Sequence, residues 1–360
     1  MIECIHIKQE FSLKNKTFIP NELYLSDGIM RQSMTELFVS YAKRTGNRNI
    51  FKVVDHINFD SIFKNAHKDG DFRNLVIVRY GGIGDLIALS SIIDYFIDAK
   101  VHFITNARYF PIFEWFINKP KLYSIQKPIF KHFDKLKLDS WVKYNGEGVI
   151  EIGDQRNWFE LFFSFIGEDN PDIEMLRPEL SNERINNKPS NIKGNKTLLI
   201  CNKATAMMRT IKVSDIYNSL PKEVKKEYDI FAYEFNVCES DKGLDIHIIK
   251  GCDMQTFFLD CYDADMVISV DTGALHFREG IHKPAIGLYN SFTTESRTKH
   301  YQYTKSFDVS SDCDLQPCFI HERADLKHCP KGKGFAAPCF DSDYNKTLIK
   351  QLKTIFNENL

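Results

Sequence analysis

The chain has 360 residues, of which 43% are hydrophobic and 26% are charged. Its 47 lysine and arginine residues nearly balance its 48 aspartate and glutamate residues, and the formal net charge is -1. This balance argues against a protein that binds nucleic acid over its whole surface, although it leaves room for a local basic patch. A chain of this length predicts two domains, because single cores rarely grow beyond about 250–300 residues.

The N-terminal stretch MIECIHIKQE carries Glu3, Lys8 and Glu10, and it lacks the apolar centre of a signal peptide. No apolar run approaches the length of a membrane span. Nine cysteines at uneven spacing do not form the pattern of a disulfide framework. We therefore expect a cytoplasmic protein with reduced thiols.

Residues 1–70 predict an N-terminal extension or subdomain, with a helix at 33–44 and a strand at 49–57. From residue 74 the pattern becomes strand, helix, strand, which predicts a βαβ unit and a parallel sheet. The elements predicted there are strands at 75–80, 101–105, 122–125 and 148–152 and a helix at 85–99.

An amphipathic helix at 157–167 is followed by a polar segment with three prolines, which reads as a linker. A second strand and helix pattern then begins. Its predicted strands are 197–201, 228–235, 245–249, 265–270 and 284–290, and its predicted helices are 254–264 and 274–281. The repeated pattern predicts an α/β fold with two facing Rossmann-like domains. The predicted boundaries are 1–70, 71–185 and 186–345, followed by a C-terminal helix at 346–360.

The stretch VIVRYGGIGDLIALSS, residues 76–91, places three glycines and Asp85 between a strand and a helix. The glycine spacing matches neither G-x-G-x-x-G nor G-x-x-x-x-G-K-[ST]. A carboxylate at a helix N-terminus is stabilised by the dipole but would repel a phosphate. Two interpretations stay open: Asp85 caps the helix, or it is a catalytic base that Gly81 and Gly82 leave open to close approach by a substrate.

A second turn lies in ADMVISVDTGALHFREGIHKPAIGLYN, residues 264–290. A strand ends at Asp271, Thr272 and Gly273 form the turn, and a helix follows. The N–H groups at the start of such a helix point outward at the positive end of its dipole and predict an anion site. His276 either donates to the same anion, donates to Asp271, or is a buried core histidine.

At these two turns the sequence resembles glycosyltransferase family 9, the ADP-heptose:lipopolysaccharide heptosyltransferases. VIVRYGGIGDLIALSS resembles the glycine-rich turn near the start of the family's N-terminal domain. ADMVISVDTGALHF and the following HKPAIGLYN resemble its DTG–H turn and GKP segment. RNWFELFFSFIGEDNPDIEMLRPEL, residues 156–180, is similar to the helix and linker between the family's domains. The resemblance covers about residues 74–345.

The resemblance implies a two-domain GT-B type glycosyltransferase fold. It implies that the N-terminal domain at 71–185 binds the acceptor and that the C-terminal domain at 186–345 binds a nucleotide-sugar, here an ADP-sugar. The implied reaction is an inverting displacement that needs no metal or other cofactor. The acceptor implied is a hydroxyl group such as one on the lipopolysaccharide core, and the sugar is heptose-like.

The resemblance also assigns roles to residues. Asp85 is the implied catalytic base, and Gly81, Gly82 and Gly84 form the acceptor-side turn. The implied donor-binding residues are Arg209, Glu234, Asp271, Thr272, Gly273 and His276, with Lys203 and Lys212 as alternatives to Arg209. Two other functions stay open: sugar transfer to modified bases in DNA, as some viruses do, and sugar-nucleotide binding without catalysis.

A lysine-rich segment at 119–137 is interleaved with aromatic residues. It is either a solvated helix face or a patch for an anionic acceptor: lipopolysaccharide phosphates, the inner face of a membrane, or DNA. Its lysines are Lys119, Lys121, Lys127, Lys131, Lys135 and Lys137.

Four cysteines near the C-terminus, with two histidines between them, predict either a structural zinc site or thiols that hold no metal. Their spacing lacks the close pairs of common zinc motifs. The four are Cys313, Cys318, Cys329 and Cys339.

Overall fold

A computed structural model describes the chain at residues 2–7, 11–13, 16–18, 23–25, 51–57, 74–79, 82–98, 100–124, 141–144, 157–165, 168, 170–204, 209–238, 241, 243–309 and 344–359. The chain divides into two compact units. The first contains Met1–Gly82, Ile93–Phe113 and Asn118–Gly146, and the second contains Ile83–Ile92, Glu114–Ile117 and Glu147–Leu360. The predicted domain boundaries remain a prediction.

Five strands of the first unit lie in the described part of the N-terminal extension. They are β1 (Ile2–Ile7), β2 (Phe11–Leu13), β3 (Lys16–Phe18), β4 (Leu23–Leu25) and β5 (Phe51–Ile57). Strands β4, β1 and β5 form an antiparallel sheet in that order, and β2 pairs antiparallel with β3. Strand β5 confirms the strand predicted at 49–57, whereas the helix predicted at 33–44 lies outside the described residues.

A four-stranded parallel sheet follows in the first unit. Its strands are β6 (Asn74–Val78), β7 (Lys100–Thr105), β8 (Lys121–Ser124) and β9 (Trp141–Tyr144). They lie in the order β8-β7-β6-β9, and every pairing is parallel, as predicted. The strand predicted at 148–152 lies outside the described residues. A 3₁₀ helix at Ala107–Trp115 follows β7.

The helix predicted at 85–99 is two shorter helices, α1 (Ile83–Ala88) and α2 (Ser90–Tyr95). Ser91 Oγ donates to the carbonyl of Ala88 at 2.9 Å, next to the break between the helices. Serine hydroxyls compete with backbone N–H groups for the carbonyl oxygens of a helix. The hydrophobic pattern that predicted one helix contains no information on this effect.

The second unit contains a six-stranded parallel sheet. Its strands are β10 (Thr197–Cys201), β11 (Asp229–Tyr233), β12 (His247–Ile249), β13 (Met266–Val270), β14 (Ala285–Tyr289) and β15 (Thr304–Asp308). Their spatial order is β12-β11-β10-β13-β14-β15, and all pairings are parallel. This is the order of a doubly wound dinucleotide-binding sheet, whose direction of winding reverses between β10 and β13.

Seven helices are described in the second unit beyond residue 150. They are α3 (Trp158–Phe165), α4 (Val213–Ser219), α5 (Lys222–Glu227), α6 (Met254–Asp263), α7 (Gly273–Gly280), α8 (Thr294–Thr298) and α9 (Tyr344–Asn359). The central strands are buried apolar runs because helices cover both faces of such a sheet. Leu348 and Leu352 of α9 are fully buried against Ile216 of α4 and this sheet. Within the described part of the chain, no helix combines the length and the apolar character that crossing a membrane requires.

Candidate active site

The candidate site begins where the winding of the six-stranded sheet reverses, at the carboxyl ends of β10 and β13. Cys201 and Ser269 are register partners there. Ser269 Oγ lies 3.1 Å from the carbonyl oxygen of Cys201 and 2.9 Å from Thr272 Oγ1, which ties the two strand ends together. In open α/β sheets, ligands bind in the crevice outside this point.

The turn after β13 is built around the N-terminus of α7. Thr272 is the N-cap residue, and its Oγ1 accepts a hydrogen bond from the N–H of Ala274 at 3.3 Å. The remaining N–H groups of the first turn and the helix dipole give this end of α7 a partial positive charge. The helix that begins here has eight residues, and helix starts of this kind favour negative charge.

Asp271 lies at the centre of a cluster of basic side chains. Its Oδ2 is 3.1 Å from Arg209 Nη1 and 3.8 Å from Arg297 Nε, and its Oδ1 is 3.6 Å from His276 Nε2. The side chain of Asp271 is 6% exposed, and those of Arg209 and Arg297 are 15% and 7% exposed. Two guanidinium groups share one carboxylate, so this part of the site carries an excess of positive charge.

The charge of Asp271 is fixed by these neighbours. Burial alone would raise the pKa of its carboxyl, but Arg297, His276 and Arg209 together hold that pKa well below its usual range. Asp271 is therefore an anion at any physiological pH. Because it is already surrounded by basic groups, its role is to orient them rather than to bind an anion itself.

Aromatic rings support both arginines. The guanidinium of Arg297 lies 4.6 Å from the ring centre of Trp158 and 4.2 Å from that of Phe292, and the guanidinium of Arg209 lies 5.3 Å from the Phe292 ring. The Trp158 ring also lies 4.7 Å from the ring of His276. Cation–π contacts of this kind orient guanidinium groups in a desolvated site.

His276 has a hydrogen-bond partner on one ring nitrogen and a carboxylate near the other. Its Nδ1 is 2.7 Å from Tyr301 Oη, and its Nε2 faces Asp271. Burial raises the pKa of the Tyr301 phenol well above its usual range, so this hydroxyl stays protonated and can donate to Nδ1. The arrangement fits the tautomer whose Nε2–H points to Asp271. His276 is thus buried, and its Nε2 lies 3.6 Å from Asp271 Oδ1, which is too long for a hydrogen bond.

Asp85 lies in the first turn of α1 and is half-buried. The start of α1 packs against the start of α7, both of which belong to the second unit. A Cβ at Gly84 would lie 2.6 Å from His276 Cδ2, and one at Gly273 would lie 2.5 Å from Ile83 Cγ2. Glycines therefore permit this close approach, and Asp85 is one residue from the contact with His276.

The other proposed donor residue, Glu234, follows β11. It is exposed at the start of a 3₁₀ turn, Glu234–Asn236. Lys203, an alternative to Arg209, donates from Nζ to the carbonyl oxygen of Phe235 at 3.3 Å. Lys212, the second alternative, is the N-cap residue of α4. Of the three basic candidates, the structure places Arg209 against Asp271.

The structure describes three further sequence candidates, Gly82, Lys119 and Lys121. Gly82 is exposed with a φ of 74°, a backbone conformation that favours glycine. Lys119 and Lys121 are exposed in the first unit. The candidates that lie outside the described residues are Gly81, Lys127, Lys131, Lys135, Lys137, Cys313, Cys318, Cys329 and Cys339.

Sequence reasoning missed Arg297, the rings of Trp158 and Phe292 that contact it, and Tyr301, which contacts His276. Arg297 lies in α8, in the connection that follows β14. The sequence contains a usable signal: an arginine shortly after the strand next to β13 belongs to the same edge of the sheet.

Within the described ranges, no group of three or more histidine, cysteine, aspartate or glutamate side chains is arranged to hold a metal ion.

No family model matches the sequence, and a search of curated proteins found no match. Solved structures do match. The iron-containing dodecameric glycosyltransferase TibC from enterotoxigenic E. coli H10407 matches with a TM-score of 0.55 and 11% identity, over 86% of this chain and 78% of that chain. The heptosyltransferase TibC in complex with ADP-D-beta-D-heptose matches with a TM-score of 0.52 and 14% identity, over 79% of this chain and 77% of that chain.

A glycosyl transferase of family 9 from Veillonella parvula DSM 2008 also matches, with a TM-score of 0.54 and 10% identity, over 80% of this chain and 98% of that chain. At this identity the similarity establishes the fold. The predicted α/β fold is confirmed, and it is the fold of GT-B type glycosyltransferases that include a member of family 9.

Proposed function

We propose that this chain is an enzyme that transfers a sugar from a nucleoside diphosphate sugar to a hydroxyl group. The observation that carries the proposal is a pair of arginines, the partly exposed Arg209 and the buried Arg297, beside the N-terminus of α7 at the reversal point of a glycosyltransferase-type sheet. Such a group of cations and backbone N–H groups suits a diphosphate.

The leaving diphosphate gains negative charge as the bond to the sugar breaks. Arg209, Arg297 and the start of α7 would stabilise that charge, since they are already oriented before the reaction. Asp271 holds the two guanidinium groups in place, and His276 would act with them or position Asp271. These protein cations supply the positive charge that the leaving group needs, which supports our proposal of a reaction without a catalytic metal.

Asp85 is the proposed base. It would remove the proton from the acceptor hydroxyl while that oxygen attacks the sugar carbon and the bond to the diphosphate breaks. A single displacement of this kind inverts the configuration at the carbon. The support is its location, since it follows Gly84 at the packing contact with His276.

The sugar and the acceptor are proposed from similarity. TibC was solved with ADP-D-beta-D-heptose, so we propose an ADP-sugar with a heptose-like sugar as donor and a lipopolysaccharide core hydroxyl as acceptor. The lysine-rich segment 119–137 is proposed to contact this anionic acceptor or the inner face of the membrane. Transfer to modified bases in DNA and binding without turnover are the competing outcomes.

The test has a binding arm and a transfer arm. The protein should bind ADP much more tightly than AMP or adenosine, because the site holds a diphosphate, and calorimetry measures all three. Labelled ADP-sugar would then be incubated with lipopolysaccharide core or with duplex DNA. Label in the lipid core supports the proposal, label in DNA supports the alternative, and binding without acceptor labelling or release of ADP identifies a binding protein.

The four cysteines from Cys313 to Cys339 remain a candidate structural metal site. Elemental analysis for zinc and iron in protein purified without added metal decides between a site and free thiols. About one equivalent per chain supports the metal site, whereas a value near zero removes it.

A further inference from the structure

Phe235 is a large apolar side chain that the fold leaves exposed. Its ring is 56% exposed in the 3₁₀ turn that follows β11. One side of it lies against the ring of Tyr233, with the ring centres 5.3 Å apart and the planes 19° from parallel. The pair is therefore a stack whose outer ring is open to solvent.

The inner ring of this stack is rigidly held. Tyr233 is fully buried, and its hydroxyl donates to Asp260 Oδ2 at 3.0 Å. Asp260 in turn accepts from the backbone N–H of Asn191 at 2.6 Å and from its side-chain amide at 2.9 Å. Lys203 Nζ, just beyond β10, donates to the carbonyl oxygen of Phe235. The outer ring is thus oriented before any ligand arrives, which lowers the cost of binding.

The position of Phe235 suits one part of a nucleotide. Strand β11 is the neighbour of β10 on the side away from β13, so the turn after β11 flanks the phosphate site. Glu234, adjacent to Phe235, is exposed at the end of β11, where doubly wound folds place a carboxylate for ribose hydroxyls. A nucleotide with its diphosphate at Arg209 and its ribose at Glu234 would bring its base to Phe235.

We propose that the exposed face of Phe235 is the platform on which the donor's nucleobase stacks and that it favours a purine. This inference rests on the proposed function. Any base can stack on an aromatic ring, because every base has a π face. The larger ring system of a purine, however, covers more of the Phe235 ring than a pyrimidine does. Phe235 would then contribute to the choice of donor nucleotide, while the arginines bind the diphosphate common to all donors.

The test compares ADP, UDP and inorganic pyrophosphate on the wild type and on Phe235→Ala, Phe235→Tyr and Ile248→Ala. Ile248 is a matched control, because it is 39% exposed on the neighbouring strand β12. We expect Phe235→Ala to weaken ADP binding by about 5- to 100-fold, from the usual contribution of base stacking. Pyrophosphate binding should stay within about twofold, Phe235→Tyr should retain ADP binding, and Ile248→Ala should change nothing.

The inference alone would be overturned if Phe235→Ala binds ADP like the wild type, or if it loses ADP and pyrophosphate binding equally. An unchanged preference for ADP over UDP in Phe235→Ala would also overturn it. A wild type that binds neither pyrophosphate nor any nucleoside diphosphate would instead refute the proposed function, and the inference would fail with it. Thermal unfolding of each variant shows whether the fold is intact.

Discussion

Removal of the negative charge at Asp271 is the perturbation whose effect the structure defines best. Asp271→Asn keeps the shape of the side chain but removes the carboxylate that faces guanidinium groups at 3.1 Å and 3.8 Å. At an effective dielectric constant of about 20, the gross attractions are about 5 and about 4 kcal/mol, and desolvation offsets much of this. Loss of one member of a buried ion pair costs about 3–5 kcal/mol, because the remaining charge is uncompensated. We expect the free energy of unfolding to fall by that amount.

Urea unfolding followed by tryptophan fluorescence measures this loss, since Trp158 contacts Arg297. Glu227→Gln is the matched control. It breaks an ion pair with Lys196 whose side chains are 35% and 43% exposed, and exposed pairs contribute only about 0–1 kcal/mol. If Asp271→Asn loses no more stability than Glu227→Gln, the carboxylate of Asp271 does not stabilise the fold through its buried contacts with the arginines.

Three further predictions follow from the same cluster. Burial alone would raise the pKa of the Asp271 carboxyl, but the basic groups hold it well below its usual range, so its stabilising effect is present above about pH 4 and is lost as the pH falls. Acid titration of stability should therefore be shallower in Asp271→Asn than in the wild type, and parallel curves would contradict this. Gly84→Ala would place a methyl group 2.6 Å from His276 Cδ2. We expect the free energy of unfolding, measured in urea, to fall by about 1–3 kcal/mol. An unchanged free energy of unfolding would refute the close packing. Arg297→Ala should weaken nucleoside diphosphate binding by about tenfold or more in calorimetry. Lys305→Ala, at an exposed lysine of the same unit, should leave this affinity unchanged. If Arg297→Ala binds as tightly as the wild type, Arg297 is not part of the site.

Local signals made much of the fold predictable. Strands β10, β13 and β14 are buried apolar runs bounded by turns, so their sequence pattern depends little on distant residues. The turn from Asp271 to His276 was equally predictable from the sequence, because a strand end, a glycine and a helix start lie within six residues. The order of the strands, which was not predicted, places this turn at the reversal point of the sheet.

The parts that were not predicted depend on tertiary contacts. Arg297 lies 26 residues beyond Asp271 and reaches it only because β14 pairs with β13. The packing of α1 on α7 was not predicted either, since Gly84 and Gly273 are distant in sequence and were assigned to two separate turns, one for the acceptor and one for the donor. Residues Ile83–Ile92 belong to the second compact unit, whereas the preceding strand β6 belongs to the first.

The most direct test of the account is the kinetics of Asp85→Asn with a labelled nucleoside diphosphate sugar and the acceptor that the wild type uses. If Asp85 removes the proton from the acceptor, kcat should fall by about 100- to 10,000-fold. The dissociation constant for the donor should stay within about threefold, because in our proposal other residues bind the diphosphate. Turnover within about tenfold of the wild type, or an equal loss of donor binding, would contradict a catalytic base at this position.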